Sequence, residues 1–372
     1  MIYLDGAGTT PMLEGCVPVI EEYACKKFFN PSAGYKPALE ISKELESARN
    51  VVLKKLGASK GNVIFTGGAT ESNNLAIMGS RKNGKWNYVF SMGEHPSVYN
   101  TAKELLQLGY DVRFVRLQKN GQIDYEDLTK QVDEKTRLIS VMHISNETGV
   151  VNDIAKVNGI RTQFAKQALL HVDGVQAFCK IPFCIDELGV DFYTISAHKF
   201  RGPKGVGVLY VKNMQSLKNI VFGGGQENGY RSGTENVPGI MAMKYAIEET
   251  DIVKNYEYVS ELKSKMIDIL AKDERIKIIP SQSPYILSAT FSGVNGETLV
   301  RVLQDKEVYV GKGSACSTKK AGNRTLENMG FNKDDIKSHI RISFGDYLSK
   351  TDIEKAGEVI LETYHEIWEK VK

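Results

Sequence analysis

Between residues 62 and 211 the chain alternates short apolar runs with segments whose apolar residues recur at helical spacing. That alternation constrains the fold more than any other feature. Seven runs carry it, at residues 63–65, 88–90, 113–115, 138–141, 169–172, 192–195 and 206–210. Helices are predicted between several of them, over about 71–80, 97–108 and 154–167. Strands with little polar alternation belong in a sheet buried on both faces. The pattern therefore predicts an α/β fold whose seven-stranded sheet is mostly parallel and covered by helices on both sides.

The flanks read differently. Residues 1–13 suggest a strand and a turn that holds Gly6, Gly8, Thr9 and Thr10, with a helix predicted from Val17 to Phe28. Ile41, Leu45, Ala48, Val52 and Leu56 then mark one face of a longer helix, which Gly57 ends. After Pro238 the alternation stops. One helical stretch is predicted over 240–271, followed by strands near 276–279, 287–291 and 339–343 and helices over 297–304 and 352–369. A chain of 372 residues exceeds a single small core. The expected division is a large domain over 14–250 and a smaller α+β domain formed by 1–13 with 251–372.

Composition excludes several classes. A formal net charge of +3 is too small to argue for direct nucleic-acid binding or an acidic membrane surface. No apolar run reaches membrane-spanning length, and the opening Ile2-Tyr3-Leu4-Asp5 lacks a basic region followed by an apolar core. A cytoplasmic protein is expected. The five cysteines are odd in number and form no CxxC pair, so neither a disulfide framework nor a metal site is expected.

In an open parallel sheet, ligands bind beyond the carboxyl ends of the strands. The segment Thr66-Gly67-Gly68-Ala69-Thr70-Glu71-Ser72 opens a predicted helix there. It reads as a phosphate cradle around Ala69 and Thr70, or as an ordinary turn capped by Thr70. Glu94-His95-Pro96, then His143, Ser145, Asn146 and Glu147, then Asp173 and Gln176, then Ser196, His198 and Lys199 follow later strands. A lysine at the mouth of a buried strand loses hydration, shifts its pKa and becomes a nucleophile toward carbonyls. Alone, Lys199 reads equally as a loop lysine in solvent. The convergence suggests pyridoxal phosphate, which needs a lysine for its aldehyde, an anion by its pyridine nitrogen and a phosphate cup. Lys199 and Asp173 fill the first two roles. Gln176 and Asn146 suit the ring hydroxyl, and Thr70, Ser196 and His198 suit the phosphate. His95 suits the ring face and proton movement.

The motifs HVDGVQ, SAHKFRGPKGVG, GGATESNN, HISNETGV and GGGQENGYRSGTENVPG resemble those of class V pyridoxal-phosphate enzymes. Among these, Gly313-Ser314-Ala315-Cys316 most resembles cysteine desulfurases of the iron–sulfur-assembly type. The resemblance runs from Asp5 to about Gly345. It implies that Cys316, in a small, polar, glycine-rich segment, is a nucleophile that takes sulfur from L-cysteine as a persulfide and passes it to an acceptor protein. By composition alone Cys316 reads equally as an exposed cysteine without function. The resemblance further implies that Arg341, in a strand-like run, grips the substrate carboxylate, and that Thr234 reaches the phosphate of a neighbouring subunit's cofactor in a homodimer. A selenocysteine lyase or other class V lyase is the alternative within enzymes, and a docking platform for sulfur acceptors the alternative outside them. The chain departs from the family pattern at Gly6, Ala7 and Gly8, at Tyr35 and at Asn228.

Overall fold

The computed structural model describes residues 1–313 and 323–372; Cys316 lies outside the described residues. Strand β1 (Ile2–Leu4) precedes seven strands that form one sheet: β2 (Asn62–Thr66), β3 (Asn87–Ser91), β4 (Asp111–Val115), β5 (Thr136–Met142), β6 (Leu169–Asp173), β7 (Phe192–Ser196) and β8 (Gly207–Val211). The order across the sheet is β2-β8-β7-β6-β5-β3-β4. Only β8 is reversed, lying antiparallel to both β2 and β7. A ten-residue link joins β7 to β8, too short for a helical crossover, so the chain turns back beside itself and sets Lys199 in the bend.

Helices cover both faces. Lys36–Leu56 and Val237–Glu249 pack on one side, where Ile41, Leu45, Val52, Val172 and Ile240 share a core. Ala69–Gly79 and Pro96–Gln107 cover the other, packing Leu75, Val98 and Leu105 against Tyr88, Phe90 and Leu209.

The remaining strands are β9 (Ile276–Ile279), β10 (Ile286–Phe291), β11 (Val308–Val310) and β12 (His339–Ser343). They form an antiparallel sheet of order β12-β10-β9 and a parallel pair, β1 with β11. Ile2, Leu4 and Ala7 join a core built otherwise from Val259 to Tyr364. Among the described residues no helix is long and apolar enough to cross a membrane.

Two expectations need correction. The single helix expected over 240–271 is two, Val237–Glu249 and Ile252–Leu270. Asp251 separates them, because its carboxylate accepts the Lys254 N–H and starts a new helix. The helix expected from Val17 to Phe28 is a short α-helix, Cys16–Glu21, continued by a π-helical turn, Glu22–Lys26. Sequence periodicity also passed over the helix Tyr125–Gln131 and the three-residue β11, which are too short to repeat a pattern.

Candidate active site

A cavity of about 840 Å³ opens at the carboxyl ends of β2, β3, β5, β6 and β7. Ala69, Thr70, His95, Asn146 and Asp173 line it, and so do Gln176, Ser196, His198, Lys199 and Arg341. Residues scattered over 273 positions of sequence therefore share one space: all but Arg341, which β12 brings in from the smaller antiparallel sheet, follow or end strands of the large sheet that point the same way. Thr234 is exposed and does not line this cavity.

Lys199 sits in the single turn of 3-10 helix, Ala197–Lys199, that ends β7. Its Nζ donates to the backbone oxygens of Ala7 at 2.7 Å and Gly8 at 2.6 Å. Burial, reinforced by the positive charge of Arg341, lowers its pKa to about 8. The N-terminal turn that departs from the family pattern thus meets Lys199 through main-chain carbonyls, which side-chain changes leave in place.

Asp173, at the end of β6, is buried, and each of its oxygens has one partner. Its Oδ2 accepts from Asn73 Nδ2 at 2.9 Å and its Oδ1 from the Val175 N–H at 3.1 Å. Asn73 Nδ2 also donates to Ser97 Oγ at 2.9 Å, and Ser97 Oγ lies 2.8 Å from His95 Nδ1. The Ser97 N–H donates to the same Nδ1, so the imidazole proton resides on Nε2. Burial holds His95 below the usual histidine range. The chain Asp173–Asn73–Ser97–His95 therefore fixes a neutral imidazole beside the cavity.

Gly68 opens the cradle at φ +150°, a region that favours glycine. A Cβ on Gly207 would lie 2.6 Å from the Gly68 backbone, so β8 approaches the cradle as closely as a glycine permits. The first N–H groups of the helix Ala69–Gly79, on Ala69, Thr70 and Glu71, take no partner among the described residues. Such unpaired donors at a helix N-terminus suit a dianion. His198 Nδ1 lies 3.1 Å from Thr9 Oγ1, and burial keeps the ring neutral with a pKa of about 4.

Arg341, in the middle of β12, is pinned by Asp5 Oδ1 at 2.8 Å and by the Asn146 backbone oxygen at 2.8 Å. Its Nε is buried without a partner. Glu147 lies 4.0 Å away and is itself held by Asn146 Nδ2 at 3.0 Å and Asn323 Nδ2 at 3.2 Å. Gly313 lines the cavity next to the same carboxylate, so the chain enters and leaves segment 314–322 beside Glu147.

Sequence reasoning missed Asp5, Asn73 and Lys180, and it assigned no role to Glu94 or Glu147. Asn73 and Glu94 carry a faint signal, lying within a few residues of the cradle and of His95. Glu94 is fully buried, and burial together with the charge of Asp173 raises its pKa well above the carboxylate range. His143 was noted at a strand end, yet it is buried against Tyr193 Oη at 2.9 Å and stays out of the cavity. Asn228 adopts φ +56°, a left-handed conformation that asparagine tolerates better than most residues.

The aminotransferase class-V family model matches residues 2–356. The chain belongs to the class-V aminotransferase family. The protein named cysteine desulfurase IscS from Dictyoglomus turgidum is 34% identical, with the alignment covering 96% of this chain and 93% of that protein. A solved structure titled NifS-like protein superposes with a TM-score of 0.91 at 32% identity, covering 97% of this chain and 98% of that one. A second, titled SspA in complex with cysteine, gives a TM-score of 0.83 at 28% identity, covering 94% and 100%. Enzymes of this family depend on pyridoxal phosphate. The site fits that group: a depressed lysine, a buried aspartate held by two hydrogen bonds with acceptor capacity to spare, and a helix N-terminus with free N–H groups face one cavity.

Proposed function

We propose that this chain is a cysteine desulfurase that converts L-cysteine to L-alanine and passes the sulfur on through Cys316. The observation that carries the reading is the meeting of Lys199, Asp173 and Arg341 in one cavity whose rim includes Gly313, next to the segment that holds Cys316. Bound pyridoxal phosphate would supply an electron sink for the substrate's Cα.

The protein's own groups do the rest. Asp173, whose oxygens accept from Asn73 Nδ2 and the Val175 N–H, would pair with the pyridine nitrogen. Ala69, Thr70, Ser196 and His198 would hold the phosphate, and Gln176 and Asn146 the ring hydroxyl. Arg341 orients the substrate through its carboxylate, using N–H groups that Asp5 and Asn146 leave free. Lys199, with a pKa of about 8, is neutral often enough to take the Cα proton. The Cys316 thiolate attacks the substrate sulfur. The S–S bond forms as the C–S bond breaks, the bond's electron pair stays with Cβ, Cβ takes the proton given up by the substrate thiol, and Lys199 returns its proton to Cα. The products balance as alanine and a Cys316 persulfide. His95, on the cavity wall, relays the thiol proton, accepting it before giving it up.

We read the chain as two units, 14–250 and 1–13 with 251–372, and as a homodimer in which Thr234 reaches the partner's phosphate. The exposure of Thr234, off its own cavity, supports the dimer. The sulfur acceptor is a protein of iron–sulfur, thio-cofactor or tRNA-thiolation assembly. We read the setting as reducing and cytoplasmic, which suits a sequence whose five cysteines include no CxxC pair.

The direct test is product analysis with the purified, cofactor-loaded chain. It should convert L-cysteine to alanine and, with a thiol reductant, release sulfide in equal amount. Lys199→Ala should abolish both. Alanine formation by Lys199→Ala at the native rate would contradict the reading.

A further inference from the structure

Lys180 is a second buried lysine on the same network. It lies in the turns that follow β6 and is 5% exposed. Among the described residues no carboxylate pairs with it. Its Nζ donates to Gln176 Oε1 at 2.8 Å and faces the Tyr285 ring, 5.4 Å from its centroid. Burial, then the charges of Lys199 and Arg341, lower its pKa to about 7. A buried ammonium without a counter-ion is costly, and an apolar side chain would avoid that cost. The fold nevertheless carries it directly beside a cavity residue.

The next links show what the ammonium does. Gln176 Nε2 donates to the Ala7 backbone oxygen at 3.1 Å, and that oxygen accepts from Lys199 Nζ at 2.7 Å. An ammonium offers donors only and a carbonyl offers an acceptor only. The Gln176 amide between them has one orientation that satisfies both: Oε1 toward Lys180, NH2 toward Ala7. The second Nε2 hydrogen has no partner among the described residues, and Gln176 lines the cavity.

We propose that Lys180 is a positioning residue, which locks the Gln176 amide so that its free N–H is held ready for the ring hydroxyl of pyridoxal phosphate beside Lys199. The inference rests on the cofactor reading given above. Lys180 touches neither substrate nor cofactor and acts only through Gln176.

The test is a double-mutant cycle of Lys180→Met, Gln176→Leu and the pair. It is read by equilibrium binding of pyridoxal phosphate to the cofactor-free full-length protein and by the visible absorbance band of the loaded protein. Each single variant should weaken binding about tenfold, the order of one hydrogen bond, and shift the band. The pair should match Gln176→Leu alone on both readouts, because Lys180 has nothing to orient once the amide is gone. Lys180→Met with native affinity and a native band would overturn the proposal, and so would additive effects in the pair. Should Lys180→Met not fold, Lys180→Gln runs the same cycle, with a smaller shift in the same direction expected and an unchanged band contradicting it. A wild-type protein that binds no pyridoxal phosphate would instead overturn the cofactor reading itself.

Discussion

Arg341 Nη2 and Asp5 Oδ1 meet at 2.8 Å across 336 residues of sequence, beside the cavity that the substrate carboxylate must enter. Asp5 is thus a resident anion on the group proposed to grip an incoming one. Arg341→Met removes hydrogen bonds to a charged carboxylate, each of order 1.5–3 kcal/mol. The KM for L-cysteine should rise by about 10- to 100-fold, with cofactor content unchanged. Asp5→Asn keeps the shape and removes the competing charge, so its KM should fall by about two- to fivefold, the low end for a buried arginine paired with a partly exposed aspartate. Steady-state kinetics of both variants check this. A KM that is unmoved in Arg341→Met would remove the carboxylate role.

Asn73 ties Asp173 to Ser97 and, through it, to His95. Asn73→Ala leaves a buried carboxylate oxygen without its donor, at a cost of about 1–3 kcal/mol. The urea midpoint of the cofactor-free protein should drop accordingly, and pyridoxal phosphate should dissociate about tenfold more readily. Native stability together with native cofactor retention would show that Asp173 does not depend on this amide.

Burial places Lys199 at about 8, below the ordinary lysine value of 10.5. Only the neutral amine attacks a carbonyl, and with a pKa of 8 about a quarter of the side chains are neutral at pH 7.5. The rate at which the cofactor-free protein takes up pyridoxal phosphate should therefore rise with pH and level off above about 8. Stopped-flow absorbance at a series of pH values measures this. A rate still climbing tenfold per pH unit at pH 10 would mean that the lysine is not depressed.

Much of this arrangement is legible in the sequence because period and strand-end chemistry are local. The seven runs give the sheet, and the polar residues just past them give His95, Asn146, Asp173, Gln176 and Lys199 as cavity-lining residues. The N-terminal turn was recognised from its glycines, yet its use as a pair of carbonyl acceptors for Lys199 depends on backbone placement that no residue type announces. Asp5 is one carboxylate among many until β1 is set beside β11 and β12 beside both. Asn73 reads as an ordinary helix residue until the cradle helix is laid over the end of β6. Lys180 lies in the turns after β6 but beyond the polar group at the strand end, and only the fold reveals that its ammonium is buried. The break between the helices at Asp251 was missed because the apolar spacing on either side nearly continues across it.

The central claim is that Lys199 and Cys316 act on one substrate molecule. One equivalent of L-cysteine, added without reductant to the cofactor-loaded protein, tests it by alanine assay and peptide mass spectrometry together. The account predicts one alanine per chain and a mass gain of one sulfur atom confined to the peptide carrying Cys316. Alanine formed in that amount while Cys316 stays unmodified would contradict it.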